Sequence, residues 1–248
     1  TFAGQTFLRY ADELRRTQHA MQQEFCDISR NQKGELRVGI AFTRGRAVMP
    51  RLIPAFQREY PNVEITLIED SNDALQKLLA DGDIDLAIAE FSKAPQEVEL
   101  RDFYEETIVL CLSGALLARC DIDLAAHEAA LRAGDLRCLR DCPFVLGPVE
   151  DIGGRMGREM LRRSGVKPIV KATSANIETL LALCERGVGA CFSPENLVRT
   201  ALSGAQVKHL HLLRFDGGAS YPIRFGFLKR SYQWSVIEEF IRIAQESI

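Results

Sequence analysis

The chain has 248 residues, of which 46% are hydrophobic and 26% are charged. These values are ordinary for a globular protein long enough for two domains. A formal net charge of −3 argues against a nucleic-acid or membrane surface in this part of the chain, since such surfaces carry a basic excess. No apolar stretch reaches membrane-spanning length and no signal-peptide pattern opens the chain, so we expect a cytoplasmic protein with no membrane partner.

The chain opens with a helical pattern that runs to about residue 29. Positions separated alternately by four and three residues form a heptad seam with one polar member: Phe7, Ala11, Leu14, Gln18, Met21, Phe25 and Ile28. A seam this narrow favours a second helix as its partner, so we predict a dimerisation helix. The alternative is an amphipathic helix packed on its own domain, which usually needs a broader apolar stripe.

A strand, a turn and a helix are predicted between residues 34 and 61. β-forming residues at 36, 38 and 40 indicate the strand, and apolar residues every three to four positions from 48 to 56 indicate the helix. Thr43 is the predicted N-cap, with Arg44 and Arg46 beside it. Because a helix start leaves backbone N–H groups unpaired, this turn can hold a small polar or anionic molecule. A strand-to-helix connection without a ligand is the alternative.

The alternation of strands and helices continues along the chain. Strands are predicted at 63–68 and 84–89, with a helix at 74–79 that has Ser71 or Asn72 near its cap. A β-α-β-α-β order builds a parallel sheet, and ligands gather at the carboxyl ends of such strands. The polar segment 90–99 is the predicted boundary to a second α/β region.

The second region repeats the alternation less regularly. The pattern predicts mixed helix and loop at 121–142, helices at 155–163, 177–184 and 236–243, and strands at 104–112, 143–146, 169–173, 207–213 and 223–229. The polar, glycine-bearing turn 147–154 lies before a helix, as the turn around Thr43 does. The second turn therefore mirrors the turn around Thr43 in its position between a strand and a helix.

The seven cysteines are scattered, and most lie in apolar surroundings typical of reduced core residues. Cys138 and Cys142 are close together, but three residues separate them and no histidine is near, so no zinc site is expected. Arg137 and Arg140 would favour a thiolate here, which leaves a redox role open.

The sequence contains no catalytic constellation. The four histidines are dispersed, His209 and His211 lack a third metal ligand nearby, and no serine lies in a nucleophile-elbow pattern. The glycines at 187 and 189 match neither a phosphate loop nor a dinucleotide fingerprint. We therefore expect a protein that is not an enzyme and that needs neither a cofactor nor a metal.

In this order and spacing, several motifs resemble the LysR-type transcriptional regulators of bacteria. The motifs extend over nearly all of the chain: Thr1–Phe7, Gly34–Gly39, Pro50, Phe56, Tyr60–Val63, Gly82–Ile88, Gly187–Gly189 and Ser193–Pro194. The resemblance implies an α/β, two-lobed, periplasmic-binding-protein-like (type II) fold preceded by a long linker helix. The implied domains are a linker helix at 1–33, lobe 1 at 34–92 with 229–248, and lobe 2 at 93–228.

The same resemblance implies a sensor that binds a small-molecule effector between two lobes to alter transcription. Its implied partners are a second copy in a homodimer, or three further copies in a tetramer, together with promoter DNA and RNA polymerase. DNA would be bound through a winged helix-turn-helix ahead of residue 1. A solute-binding protein of the same fold is the alternative, but a heptad helix ahead of the first lobe is not expected there.

Effector positions of the family fall on loop residues at strand ends and helix starts: Thr43, Asn72, Glu90, Pro148 and Val149, with Ser174 and Asn176 at the border. Family members that bind dicarboxylic acids tend to have a basic residue where Glu90 stands. Arg44 or Arg46 together with Glu90 therefore suits a zwitterion or a mixed polar ligand better than a simple dianion.

Overall fold

A computed structural model describes residues 1–28, 33–91, 96–229, 232 and 234–247, without the side chains of Cys26, Ile28 and Thr43. The chain divides into two compact units, which we call unit 1 (residues 1–104 and 222–248) and unit 2 (residues 105–221). The boundaries expected from the sequence, at 92–93 and 228–229, lie just outside the two long strands within which this division falls.

The helices and strands up to the division follow the predicted order. They are α1 (Phe2–Ile28), β1 (Gly34–Ile40), α2 (Phe42–Glu59), β2 (Val63–Glu69), α3 (Asn72–Asp81), β3 (Leu86–Ala89) and β4 (Val98–Ser113). The last of these, β4, continues from unit 1 into unit 2.

Further elements follow β4, and some of them are short helices in the segment predicted as mixed helix and loop. The further elements are α4 (Gly114–Arg119), α5 (Leu124–Arg132), a 3₁₀ turn (Arg137–Leu139), β5 (Pro143–Leu146), α6 (Ile152–Arg163), β6 (Ile169–Thr173), α7 (Ile177–Glu185), β7 (Cys191–Pro194), α8 (Glu195–Ala201), α9 (Gly204–Val207), β8 (Leu210–Arg214), β9 (Ser220–Leu228) and α10 (Ser235–Ser247). The strand predicted at 207–213 starts only at Leu210, because Ser203 caps the short helix α9 through a capping box.

The sheet of unit 1 has the parallel centre that the alternation predicts. β1 pairs in parallel with β2 on one side, with Leu36 opposite Ile65, and with β3 on the other, with Val38 opposite Leu86. β9 then pairs antiparallel with β3. Residues 36–40 of β1 are all buried, as expected for a central strand covered on both faces. The predicted β-α-β-α-β unit is thus present.

The core of unit 2 is organised by the alternation of side chains along β4. Ile108, Leu110 and Leu112 belong to one buried cluster, which includes Phe144 and Phe192. Val109 and Cys111 belong to a second cluster, which contains Leu181. Successive strand residues point to opposite faces, so β4 supplies both clusters. β7 and β8 pair antiparallel with β4 on its two sides.

One face of α1 packs on the rest of unit 1 through polar contacts. The Asp85 carboxylate, directly before β3, accepts hydrogen bonds from Arg37 Nη2 at 2.9 Å and Gln23 Nε2 at 3.1 Å. His19 Nε2 lies 3.2 Å from the same carboxylate. Burial opposes ionisation of Asp85, but hydrogen bonds from His19 and Arg37 hold its pKa well below the usual range. This network fixes the helix on the unit.

The other face of α1 carries the predicted seam. The side chains of Phe7, Leu14, Met21 and Phe25 are all at least half exposed, and Gln18 is exposed as well. Ala11 is half-buried, and the Ile28 side chain lies outside the described residues. The helix therefore has a polar face that contacts the rest of unit 1 and a largely exposed apolar face.

Candidate functional site

The turn between β1 and α2 differs from the prediction at the N-cap. Ala41 is the N-cap, with extended backbone angles (φ −64°, ψ 136°), and it makes no side-chain hydrogen bond to the helix. Thr43 was the wrong choice because the helical conformation already begins at Phe42. Thr43 therefore lies inside the first turn of α2, where the N–H groups receive no side-chain acceptor from the cap residue.

The two arginines of this turn have different environments. Arg44 is only 4% exposed, and its Nη1 lies 3.5 Å from the carbonyl oxygen of Ile88, near the end of β3. Arg46 is exposed. Arg44 thus joins the start of α2 to the carboxyl end of the neighbouring strand, whereas Arg46 lies at the surface.

Asn72 and Glu90 are brought together at the same edge of the sheet. Ser71 is the N-cap of α3, since its Oγ accepts a hydrogen bond from Ala74 N at 3.3 Å. This leaves the Asn72 Oδ1 to accept from Glu90 N at 3.2 Å, while Gln76 Nε2 donates to Glu90 O at 3.1 Å. Residue 90 is therefore fixed through its backbone, directly after β3, with a half-buried side chain.

In unit 2, the loop after β5 is held tightly against the start of α6. Asp151 is the N-cap of α6, and its Oδ2 accepts from Gly154 N at 3.1 Å. Arg158 Nη1 donates to the carbonyl oxygen of Gly147. The Val149 side chain is 55% exposed, and Pro148 is half-buried. The helix starts at Ile152, earlier than predicted, because Asp151 provides its cap.

Ser174 and Asn176 hold the next strand-to-helix turn of unit 2. Ser174 Oγ accepts from Asn176 N at 3.1 Å, and Asn176 Oδ1 accepts from Glu178 N at 2.9 Å. Asn176 is the N-cap of α7. Both side chains thus have acceptor atoms engaged in the turn itself, while the Ser174 O–H and the Asn176 NH₂ are the groups that can donate hydrogen bonds.

Two residues that position these loops were missed by the sequence reasoning. Gln76 holds the carbonyl of residue 90, and Arg158 holds the carbonyl of Gly147. Gln76 lies four residues after Asn72, and Arg158 lies four residues after Gly154. Residues four apart share a helix face, and this spacing is the signal in the sequence that would have indicated both.

Cys138 and Cys142 do not have the features of reactive thiolates. Burial raises the pKa of Cys138, and burial together with the neighbouring Cys120 raises the pKa of Cys142 to about 12. Arg137 does not lower these values, because it pairs with Asp135, whose Oδ2 lies 2.6 Å from Arg137 Nη2. The environment that would favour a thiolate is therefore absent at this pair.

Among the residues that the structure describes, one histidine of unit 2 is paired with a carboxylate. His209 Nδ1 lies 3.0 Å from Glu185 Oε1, which gives this histidine a carboxylate partner. Within the part of the chain that the structure describes, no three metal-binding side chains cluster. Nor does any helix in that part combine the length and apolar character needed to cross a bilayer.

The fold and these loops define the class of protein. Each α/β unit has polar loops that follow parallel strands and begin helices, as in ligand-binding domains of the periplasmic-binding-protein type. The predicted fold class is confirmed, including the long N-terminal helix.

Comparison with known proteins identifies the family. The LysR substrate-binding domain matches residues 29–248, and the chain belongs to this family. Over 99% of its length it is 25% identical to the uncharacterized HTH-type transcriptional regulator YcgK of Bacillus subtilis (strain 168), covering 76% of that protein. The chain is thus the effector-binding region of a LysR-type transcriptional regulator, as the motifs predicted, and the solute-binding alternative is not favoured.

Two solved structures are similar in fold. Full-length CbnR complexed with its target DNA has a TM-score of 0.66 and 20% identity, with 100% of this chain and 82% of that chain covered. The BenM effector-binding domain with its effector benzoate has a TM-score of 0.66 and 16% identity, with 86% of this chain and 90% of that chain covered.

Proposed function

We propose that this region senses a small zwitterionic or mixed polar metabolite that contacts residues of both units. Thr43, Arg44, Arg46, Asn72 and Glu90 contribute from unit 1. Pro148 and Val149 contribute from unit 2, with Ser174 and Asn176 at the border. The observation that carries the proposal is the hydrogen bond from Glu90 N to Asn72 Oδ1, which holds an acidic side chain at the strand ends of a domain whose family binds effectors.

The charges at the β1–α2 turn and at Glu90 favour a ligand that carries both a positive and a negative charge. The N–H groups at the start of α2 and the exposed Arg46 attract an anionic group. The carboxylate of Glu90, after the neighbouring strand, attracts a cationic or hydrogen-bond-donating group. An α-amino acid or a related compound carries both, whereas a simple dianion would place negative charge against Glu90.

A thermal-shift screen of amino acids, small organic acids and aromatic metabolites tests this proposal. A ligand that binds only the folded state stabilises it by about 2.7 kcal/mol at one hundred times its Kd. The melting temperature therefore rises with ligand concentration. Glu90→Gln should weaken binding of a charged partner by about 1.5–3 kcal/mol, and Thr43→Val should weaken a neutral hydrogen bond by about 0.5–1.5 kcal/mol.

Glu64→Gln is the matched control, because Glu64 is an exposed residue of β2 outside the proposed site. It should leave ligand affinity unchanged. A ligand whose affinity resists both Glu90→Gln and Thr43→Val would show that the effector is bound elsewhere.

We further propose that α1 pairs with the α1 of a second copy through the seam of Phe7, Ala11, Leu14, Gln18, Met21, Phe25 and Ile28. The exposure of Phe7 (71%) and Leu14 (71%) supports this, because large apolar side chains on one helix face need a partner surface. The opposite face is already occupied by the contacts of His19 and Gln23 to Asp85. Homotetramers would need a further interface.

Leu14→Asp tests the dimer. It places a charge in the seam and should reduce the molecular mass measured by light scattering to that of a monomer while the circular dichroism is retained. Gln5→Asp, an exposed change of the same charge on another face of α1, should leave the dimer intact. Equal masses for Leu14→Asp and the parent would contradict the seam.

The remaining proposed partners are promoter DNA, bound through a winged helix-turn-helix domain, and RNA polymerase, with action in the cytoplasm and no enzymatic activity. Similarity to the transcriptional regulator YcgK and to CbnR bound to its target DNA supports a role in transcription. Footprinting of the regulator on its promoter with and without the effector is the test: an unchanged footprint and unchanged transcription in vitro would contradict effector control.

A further inference from the structure

A basic groove of about 620 Å³ lies entirely within unit 2, along the outer face of α6. Its lining combines charged residues with small and apolar ones: Val149, Arg155, Met156, Arg158, Glu159, Met160, Arg162, Arg163, Gly218 and Ala219. Four arginines and one glutamate give the lining a net charge of +3. The volume is within the range of about 300–1,000 Å³ that is typical of small-molecule sites.

The inner face of α6 explains why the groove exists. Gly157 packs so closely on the Phe192 ring that a Cβ atom could not be accommodated, and Ile152 and Leu161 are buried beside it. The long side chains of α6 are therefore confined to the other face. There they border the turn at Gly218 and Ala219, which offers almost no side-chain bulk to fill the space.

The floor of the groove is apolar and adaptable. Met156 and Met160, one helical turn apart, are half-buried and pack against the core cluster of unit 2. Their other sides line the groove. Methionine side chains adjust to irregular apolar groups because they are unbranched and polarisable, so this floor suits an alkyl or aryl body of variable shape.

The rim has more positive charge than the protein neutralises. Glu159 is shared by Arg162 and Arg163, with N–O distances of 2.7 and 2.9 Å. Hydrogen bonds from Arg162 first and then Arg163 lower the pKa of Glu159 to about 2. Arg155 is exposed, and among the described residues it makes no side-chain hydrogen bond or ion pair. A guanidinium of this kind can bind a carboxylate or phosphate in a bidentate manner.

We propose that this groove binds a small amphipathic anion, with its apolar body on Met156 and Met160 and its carboxylate or phosphate on Arg155 and Arg162. The groove differs from the effector site proposed above because residues of unit 2 supply all of its lining and none comes from unit 1, but the two sites share Val149. Val149 lines the groove and also belongs to the loop after β5. Occupancy would therefore contact the loop that is assigned to the effector, and any coupling between the two ligands would be reciprocal.

The methionines provide a direct test. The sequence has four: two in the groove, Met21 on α1 and the buried Met49 on α2. With ¹³C-methyl methionine, titration of the 248-residue chain with octanoate should shift the Met156 and Met160 signals saturably and leave Met21 and Met49 in place. Octanol tests the need for charge, and acetate tests the need for an apolar body. Both should bind at least about tenfold more weakly than octanoate.

Arg155→Gln with Arg162→Gln should weaken octanoate binding by at least about tenfold, while Arg140→Gln, an exposed change in the same unit outside the groove, should not. Glu90→Gln should leave the octanoate response unchanged, which separates this site from the effector site. The proposal is overturned if octanoate leaves both groove signals in place, if octanol or acetate shifts them equally well, or if the double variant binds as tightly as the parent.

Discussion

The turns β1–α2 in unit 1 and β5–α6 in unit 2 have the same topology but opposite local chemistry. In unit 1 the N-cap is Ala41, which supplies no side-chain acceptor. In unit 2 the N-cap is Asp151, which accepts a hydrogen bond from Gly154 N at 3.1 Å. The first turn of α2 thus keeps donors that a ligand can use, whereas the first turn of α6 has its cap filled by its own chain.

Packing increases the contrast between the two turns. A Cβ atom on Gly154 would overlap the carbonyl oxygen of Pro148, so this turn tolerates no larger residue. A Cβ atom on Gly45 would meet the Glu69 carboxylate at 2.8 Å, and a flexible side chain of this kind can move away. We infer that the unit 1 turn is the more adaptable of the two and that the unit 2 turn is rigid.

The largest expected effect is that of Gly154→Ala. The added methyl group must displace backbone, so unfolding free energy should fall by about 1–3 kcal/mol or more, as measured by urea denaturation. Loss of stability below about 0.5 kcal/mol would show that the turn is not rigid and would break the contrast.

Asp151→Ala should cause the next largest loss of unfolding free energy. Removing an N-cap acceptor costs about 0.5–2 kcal/mol, and Asp151→Asn, which keeps an acceptor, should cost much less. Urea denaturation of the two variants side by side measures the difference. Equal losses for Ala and Asn would assign the effect to charge rather than to the cap.

Ala41→Asp sharpens the comparison from the other side. It supplies the acceptor that α2 lacks and should raise the unfolding free energy by about 0.5–1 kcal/mol. If an effector uses the same N–H groups, its affinity should fall at the same time. Isothermal titration calorimetry with a ligand found by thermal shift would check this, and a stabilised variant with unchanged affinity would place the ligand away from the helix start.

Gly45→Ala should have the smallest effect. Alanine favours a helix over glycine by about 0.5–1 kcal/mol, and the displacement of Glu69 and the close approach to Ile40 offset part of this gain. The change in unfolding free energy should therefore lie within about 0.5 kcal/mol of zero. A loss as large as that of Gly154→Ala would remove the distinction between the two turns.

Periodicity was sufficient to predict most of the fold but not the local chemistry of its turns. The strand at 36–40 was correct because a hydrophobic pattern reports burial directly. The strand at 169–173 was also correct although none of its residues is buried, so its β-forming residues rather than burial were the signal. The start of α2 was not, because a cap without a side-chain acceptor leaves no trace in the sequence, and Thr43 offered a plausible one two residues later. The sequence also did not indicate which charges would be buried.

Arg37 and Asp85 are buried charged residues that the sequence did not indicate. They are far apart in the sequence, and only the parallel pairing of β1 with β3 brings them together beneath α1. The residues proposed to bind the effector are similar, since the hydrogen bond between Asn72 and Glu90 depends on two strand ends meeting. The resemblance placed these residues at loops, but their contacts come from tertiary structure.

The discontinuity of unit 1 has a consequence for how the protein is made. Its sheet has β9 between β3 and β4, and Phe240 of α10 packs against Phe56 of α2 with ring centroids 5.2 Å apart. Most of β9 and all of α10 lie in residues 222–248, which follow unit 2 in the chain, whereas unit 2 is one continuous stretch. During translation, unit 2 can therefore complete its core before unit 1 receives its last strand and helix.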